Sequence, residues 1–152
     1  MPIRIIAIGK KHESWVFEGI QRYQKRLKRP FNIEWMILPH SSLPEARARQ
    51  EESQRILLRI NANDYVILLD ERGKPIDSSE LSSLLRKIID SSRKIVIVIG
   101  GAYGVDDVIM KRANFMWSLS RLVFPHQLVR LILTEQLYRA QEIAGGNPYH
   151  HK

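Results

Sequence analysis

Gly100, Gly101 and Gly104 follow directly on an apolar run, Ile95 to Ile99, and that order of residues lets bare backbone face a ligand. A residue without a Cβ accepts positive φ and allows main-chain N–H groups to close on a bound molecule. A buried strand that ends in such a turn is a common ligand edge in α/β proteins. The same glycines also suit a plain strand-to-helix turn, and both readings stand. The dinucleotide fingerprint Gly-x-Gly-x-x-Gly is not met, because Ile99 holds its first position, and the chain has no Walker pattern. Any nucleotide-like cofactor would therefore be held by another kind of loop. A second constellation, Asp70-Glu71-Arg72-Gly73-Lys74-Pro75, follows the apolar run Tyr65 to Leu69. Ligands gather at the carboxyl ends of strands in open α/β sheets; an exposed charged turn is the alternative.

Cations form a third group. Arg22, Lys25, Arg26 and Lys28 share a helix face, which suits phosphate contact or simply solvation. Lys plus Arg number 24 against 16 Asp plus Glu, a net charge of +8 in 152 residues. A polyanionic partner is expected, nucleic acid before an anionic membrane. With no cysteine there is neither a disulfide nor a thiolate zinc site, and the five histidines form no triplet with metal-ligand spacing, so no metal is expected. The residues after Met1 lack the basic and apolar regions of a signal peptide, and no apolar run reaches membrane-span length. A cytoplasmic protein of one domain, residues 1–152, is expected.

The elements that must position these groups alternate. Ile3 to Ile8 is a strand-length apolar run ended by Gly9, and Lys10, Lys11 and His12 lead into a helix from about Glu13 to Lys28. Phe31, Ile33, Trp35 and Ile37 alternate as a second strand. After a turn at His40 to Pro44, a charged helix runs from about Glu45 to Ile60, and residues 40–50 are expected to be the loosest part. Strand three is Tyr65 to Leu69. Asp77 and Glu80 have capping-box spacing ahead of a helix with Leu81, Leu84, Leu85, Ile88 and Ile89 on one face. Ile95 to Ile99 is the fourth strand, and Asp106 and Asp107 open a short helix to Ala113. Two short apolar pieces, Phe115 to Leu119 and Arg121 to Phe124, flank Ser120. Pro125 then opens a helix from about His126 to Ala144 that is apolar on more than one side, as when a second subunit covers it. The alternation indicates an α/β fold, a parallel-type sheet flanked by helices.

IAIGK, LLDERGKPI, VIGGAYG, SLSRLVFPHQLVRLILTEQLYRA and the closing NPYH together resemble the ribosomal RNA large subunit methyltransferase H family, within the SPOUT class. The similarity spans essentially the whole chain, and its FPHQLVR to EQLYRA block is the specific part. The resemblance implies an S-adenosylmethionine-dependent enzyme that methylates N3 of a pseudouridine in the helix 69 loop of 23S ribosomal RNA. It also implies a homodimer and a trefoil knot in the carboxyl-terminal part. Carried over by motif, the cofactor pocket would include Leu69, Gly100, Leu119, Ser120, Arg121, Leu122, Val123 and Phe124. Where the family commonly has Arg after the terminal Tyr-His, this chain has His151 and Lys152, which keeps a cation without the bidentate fork.

Under that implication the acceptor nitrogen is an imide that must lose its proton, so a base or an anion-stabilising group is required. Candidates are His126, Glu135, Arg139, Tyr149 and His150. Arg139 would stabilise the anion and orient the base, with Tyr149 and His150 lining the target pocket. Plainer roles stand beside these: His126 as a helix-start hydrogen bonder, Glu135 and Arg139 as an i,i+4 ion pair, and the tail as a frayed end. Lys10, Lys11, Arg22, Lys25, Arg26 and Lys74 would supply phosphate contacts. A non-catalytic basic module that binds ribosomal RNA or an assembly intermediate is the alternative function.

Overall fold

Ile, Val and Leu without polar alternation make strands that are covered on both faces, and the two most apolar runs hold the middle of the sheet. The computed structural model describes residues 1–151, so Lys152 lies outside the described residues. In chain order the elements are β1 (Ile3–Ile8), α1 (Ser14–Gln24), β2 (Ile33–Leu38), α2 (Glu45–Leu57), β3 (Tyr65–Pro75), α3 (Ser78–Asp90), β4 (Ile95–Ile99), α4 (Asp107–Arg112), β5 (Phe115–Ser118) and α5 (His126–Ala144). One five-stranded sheet has the order β2-β1-β4-β3-β5, and every pairing is parallel. All five strands therefore end on the same side of the molecule.

Alternate residues of each strand feed two cores. Ile3, Ile5, Ala7, Ile95, Ile97 and Ile99 face Leu81, Leu85 and Ile88 of α3 and Leu133, Leu137 and Ala140 of α5. Ile6, Ile8, Val96 and Val98 face Ile56 of α2 and Ile109 of α4. Each of these large side chains, once buried, contributes on the order of 1.5–3 kcal/mol. α5 packs against both α1 and α3, so the chain leaves the edge strand β5 and returns over the middle of the sheet. The capping box forms as expected: Asp77 accepts from the Glu80 N–H at 2.8 Å and Glu80 accepts from the Asp77 N–H at 3.1 Å.

Several boundaries differ from the sequence expectation. α1 stops at Gln24, where Arg26 and Leu27 close i→i+3 bonds instead of continuing the helix. β3 runs on to Pro75 because both Leu69 and Lys74 pair with Trp117, which leaves residues 70–73 as a bulge. Gly73 permits that close pairing, since a Cβ there would stand 2.6 Å from the Met116 carbonyl. The first of the two apolar pieces becomes β5, and the second forms no strand. Residues 45–50 are helical, and the loop before them is tied: Glu52 accepts from the Ser41 N–H at 2.8 Å and Arg55 donates to the Pro39 carbonyl at 2.8 Å.

Candidate functional site

Because β3, β4 and β5 end side by side, the segments that follow them meet. Leu68 to Arg72, Ile99 to Val105, and Leu119, Ser120, Leu122, Val123 and Phe124 enclose a cleft of about 470 Å³, together with Arg49 of α2 and His126 and Val129 of α5. That volume is within the usual range of small-molecule sites. Seven of the eight motif-derived pocket residues line it, and Arg121 is the exception: its side chain is exposed and outside the cleft.

The glycine turn is tightly built. Gly104 donates to the Gly101 carbonyl at 2.9 Å and sits at φ 75°, while a Cβ on Gly101 would run into Oε1 of Glu52. A Cβ on Gly100 would meet Val105 Cγ1 at 3.0 Å and the Gly104 backbone at 3.3 Å, so backbone alone borders the cleft here. Opposite it, Ser118 donates to the Ser120 carbonyl at 3.0 Å and Ser120 Oγ accepts from the Leu122 N–H at 3.0 Å, which curls the 118–122 turn. Leu122 and Val123 are left 69% and 81% exposed, an apolar lip that a bound ligand or a second chain would cover. Glycine backbone on one wall and Leu69, Leu119, Leu122 and Phe124 on the others fit a flat heterocycle with a polar edge. On the rim, Asp70 accepts from Arg72 Nε at 2.9 Å and Nη2 at 2.8 Å, and this fork holds the Asp70 carboxyl below its ordinary range.

His126 is the one catalytic candidate in the cleft. Its side chain makes no hydrogen bond with the described residues, so it is not the helix-start bonder that its position allows. Burial, then the charge of Arg130, lowers its pKa, and Glu52 opposes the shift. The other four candidates stand together elsewhere. Glu135 Oε2 accepts from Arg139 Nη2 at 2.8 Å and Nε at 3.1 Å, and from the Tyr149 hydroxyl at 2.9 Å. Arg139 Nη1 lies 3.1 Å from His150 Nδ1, and the guanidinium stacks on the Tyr149 ring at 4.8 Å. Tyr149 also meets Tyr138 edge-on at 4.8 Å, so the tail through His150 is fastened to α5. The i,i+4 ion pair exists, and the tail residues are added to it. Arg139 is roughly three and a half turns, about 20 Å, along α5 from His126. His150 borders a neighbouring groove that shares only Leu119 with the cleft.

Residues that sequence reasoning did not single out for the site are Arg49, Tyr103, Val105, Val129 and the buried Glu52. Asp70 to Arg72 carried the signal of standing at a strand's carboxyl end; Arg49 and Glu52 sit in a charged helix with nothing to distinguish them. No group of three potential metal ligands occurs, and no helix is long and apolar enough to cross a membrane, among the described residues.

A family profile described as Predicted SPOUT methyltransferase matches residues 1–150. Proteins named ribosomal RNA large subunit methyltransferase H are similar over nearly their whole length. That of Bacillus pumilus is 41% identical, and that of Acetivibrio thermocellus 40%, each over 158 aligned positions covering 99% of both chains. The Desulfitobacterium hafniense protein is 38% identical at the same coverage. Among solved structures, a probable methyltransferase from Bordetella pertussis Tohama I superposes with a TM-score of 0.56 at 14% identity, over 91% of this chain and 93% of its own, a likeness of fold.

Proposed function

We propose that this chain, which belongs to the SPOUT methyltransferase family, moves the methyl group of S-adenosylmethionine onto N3 of a pseudouridine in the helix 69 loop of 23S ribosomal RNA, working in the cytoplasm as a homodimer. The observation that carries the reading is the convergence of Leu69, Gly100 and residues 119–124 on one cleft. Ribosomal RNA as substrate draws support from the relatives' name and from the net charge of +8, which suits a polyanion. To the segment 119–125, by which the chain returns from β5, we attribute the trefoil threading of the SPOUT fold.

S-adenosylmethionine, when bound, supplies a methyl group made electrophilic by its sulfonium. Leu69, Leu119, Leu122 and Phe124 would hold its adenine, with backbone groups of Gly100 and of the 119–124 segment reading the heterocycle's edge. Catalysis by the rest of the site is then a matter of orientation and of one proton. His126, whose pKa is lowered, stays a neutral imidazole able to accept the imide proton. Glu135 Oε2 already accepts from three donors, which leaves it the weaker choice. Arg139 stabilises the anion left on the base, and Tyr149 and His150 line the target pocket. Tyr149 is a hydrogen-bonding wall and not a base, because burial, then the bond to Glu135, raises its pKa well above 10.0.

The two groups of candidates act together if a second copy brings its tail to the cleft. Exposed Trp15, Phe17, Leu122 and Val123, with half-buried Leu128, Leu131 and Ile132 on α5, provide apolar surface for that contact. The test is calorimetry with S-adenosylmethionine, together with tritiated methyl incorporation into hairpin RNAs that differ only in carrying uridine or pseudouridine in the loop. Saturable binding and pseudouridine-dependent incorporation are expected. Absence of donor binding would favour the non-catalytic RNA-binding module, and incorporation into both hairpins would move the target.

A further inference from the structure

The end of β1 lies outside the cleft and brings together Lys10, Lys11 and Arg130. Arg130 of α5 is only 1% exposed. Its Nη1 donates to the Lys10 carbonyl at 2.8 Å and lies 3.3 Å from His12 Nδ1, and its Nη2 is 3.4 Å from where a Gly9 Cβ would stand. Nε is buried without a partner, and no carboxylate pairs with the guanidinium among the described residues. Glu13, itself exposed, is the acid whose charge Arg130 feels. Gln127 Nε2 donates to the Lys11 carbonyl at 3.3 Å, so two successive carbonyls of the turn point inward. The Lys10 and Lys11 side chains are exposed, and neither makes an ion pair among the described residues.

A buried guanidinium with no counter-charge is costly to keep, and a turn whose carbonyls face inward presents its N–H groups to an anion. We propose that the Gly9–His12 turn, held from behind by Arg130, is an oxyanion subsite. Lys10, Lys11 and the N–H groups of residues 10–12 make the contact, the Gly9 N–H being given to the Leu38 carbonyl at 2.9 Å, while Arg130 fixes the turn and adds its field. Resting on the function proposed above, the oxyanion has two sources: a phosphodiester beside the target nucleotide, or the carboxylate of the donor's amino-acid end, which would approach past His126, one helical turn from Arg130.

The test uses Lys10→Gln/Lys11→Gln, Arg130→Met and Arg130→Lys in the full chain. Affinity for a loop-pseudouridine hairpin is measured across salt concentrations, and calorimetry compares S-adenosylhomocysteine with 5′-methylthioadenosine, which lacks the amino-acid end. For a phosphodiester, the double lysine variant lowers hairpin affinity roughly tenfold and flattens the log–log salt slope by about one to two. Both S-adenosylhomocysteine and 5′-methylthioadenosine then bind as before. For a carboxylate, S-adenosylhomocysteine weakens while 5′-methylthioadenosine does not. Arg130→Lys should keep more of either effect than Arg130→Met; if Arg130→Met fails to fold, the exposed lysines decide. An unchanged salt slope together with an unchanged ratio of the two nucleoside affinities overturns the subsite. A wild-type chain that binds neither nucleoside overturns the methyltransferase reading instead, and the two failures are distinct.

Discussion

The Tyr149 hydroxyl donates to Oε2 of Glu135 across 2.9 Å and 14 positions of chain. Arg139 donates to the same oxygen through two nitrogens, so one carboxylate fastens both a helix cation and the returning tail. Only 19–24% of the Arg139 and Glu135 side chains is exposed, which makes this pair less screened than a surface ion pair. The pair gives Arg139 a fixed direction, which is what the proposed anion-stabilising role would need.

Tyr149→Phe removes one hydrogen bond and keeps the ring that stacks on Arg139. A charge-assisted bond of this sort contributes about 1.5–3 kcal/mol, so methyl transfer should fall roughly tenfold or more while donor affinity holds. Since the folded-state pKa is raised, the phenol is protonated throughout the neutral range and the pH–rate profile should keep its shape in the variant. Stability follows the same sign. Above pH 10 the unfolded chain loses this proton before the folded one does, and wild-type stability should decline there more than that of Tyr149→Phe. A variant whose rate profile loses an ionisation step would make Tyr149 the base after all.

His12 and His126 both have pKa values below the ordinary 6.5, in each case through burial first and the charge of Arg130 second. Depressed imidazoles bind protons in the unfolded chain before they do so in the folded one. Thermal stability should therefore hold above pH 6.5 and fall as pH drops below it. His12→Gln and His126→Gln should each flatten that fall. His12 also packs edge-on against Trp35 at 4.7 Å, so its variant should start from a lower melting temperature. Parallel pH curves for wild type and both variants would contradict the assignment.

Legibility of the fold followed the length and purity of its apolar runs. β1 and β4 are buried on both faces and can be read directly, whereas β5 is four residues whose pairing with β3 depends on a bulge that hydropathy does not report. Asp70 to Gly73 read as a turn for the same reason: charges on a looped-out bulge and charges on a turn look alike in sequence. At the site, the cleft walls came from motif resemblance and not from periodicity. Arg49 and Glu52 were invisible because a solvated face and a cleft wall have the same composition in a helix such as EARARQEESQR. Nor could a pattern of side chains report that His126 lines the cleft while Arg139, on the same helix, is bound to Glu135 and the tail.

Gly101 and Gly104 should both lose stability as alanine, but only one of them should lose the donor. At Gly101 the new Cβ must displace the buried Glu52 carboxylate, which also holds the Ser41 N–H. Overpacking of this kind costs about 1–3 kcal/mol, and donor affinity should drop with it. At Gly104 there is open space, and only the left-handed backbone is strained, at roughly 1–2 kcal/mol. Melting temperatures and calorimetry separate the two: Gly104→Ala should lose stability while it still binds the donor.

The separation of His126, in the cleft, from the cluster of Glu135, Arg139, Tyr149 and His150 makes the subunit question testable without a structure of the dimer. Gly100→Val should block the cleft without touching the apolar lip, and Tyr149→Ala/His150→Ala should disable the tail, so each homodimer should be inactive. Random co-refolding makes about half the dimers mixed. If the tail serves its partner's cleft, the mixed dimer pairs an intact cleft with an intact tail from the other protomer and recovers one working site of two, roughly a quarter of wild-type turnover. A tail that serves its own cleft leaves every site in the mixture broken, and turnover stays at zero. The second outcome would require the Tyr149 and His150 segment to release Glu135 and Arg139 and cross past Leu119 within one chain, at the expense of four contacts that now fasten it. Activity in the mixture is the expected result because that release is costly, and because Leu122, Val123 and the α5 flank already present the apolar surface a second copy would cover.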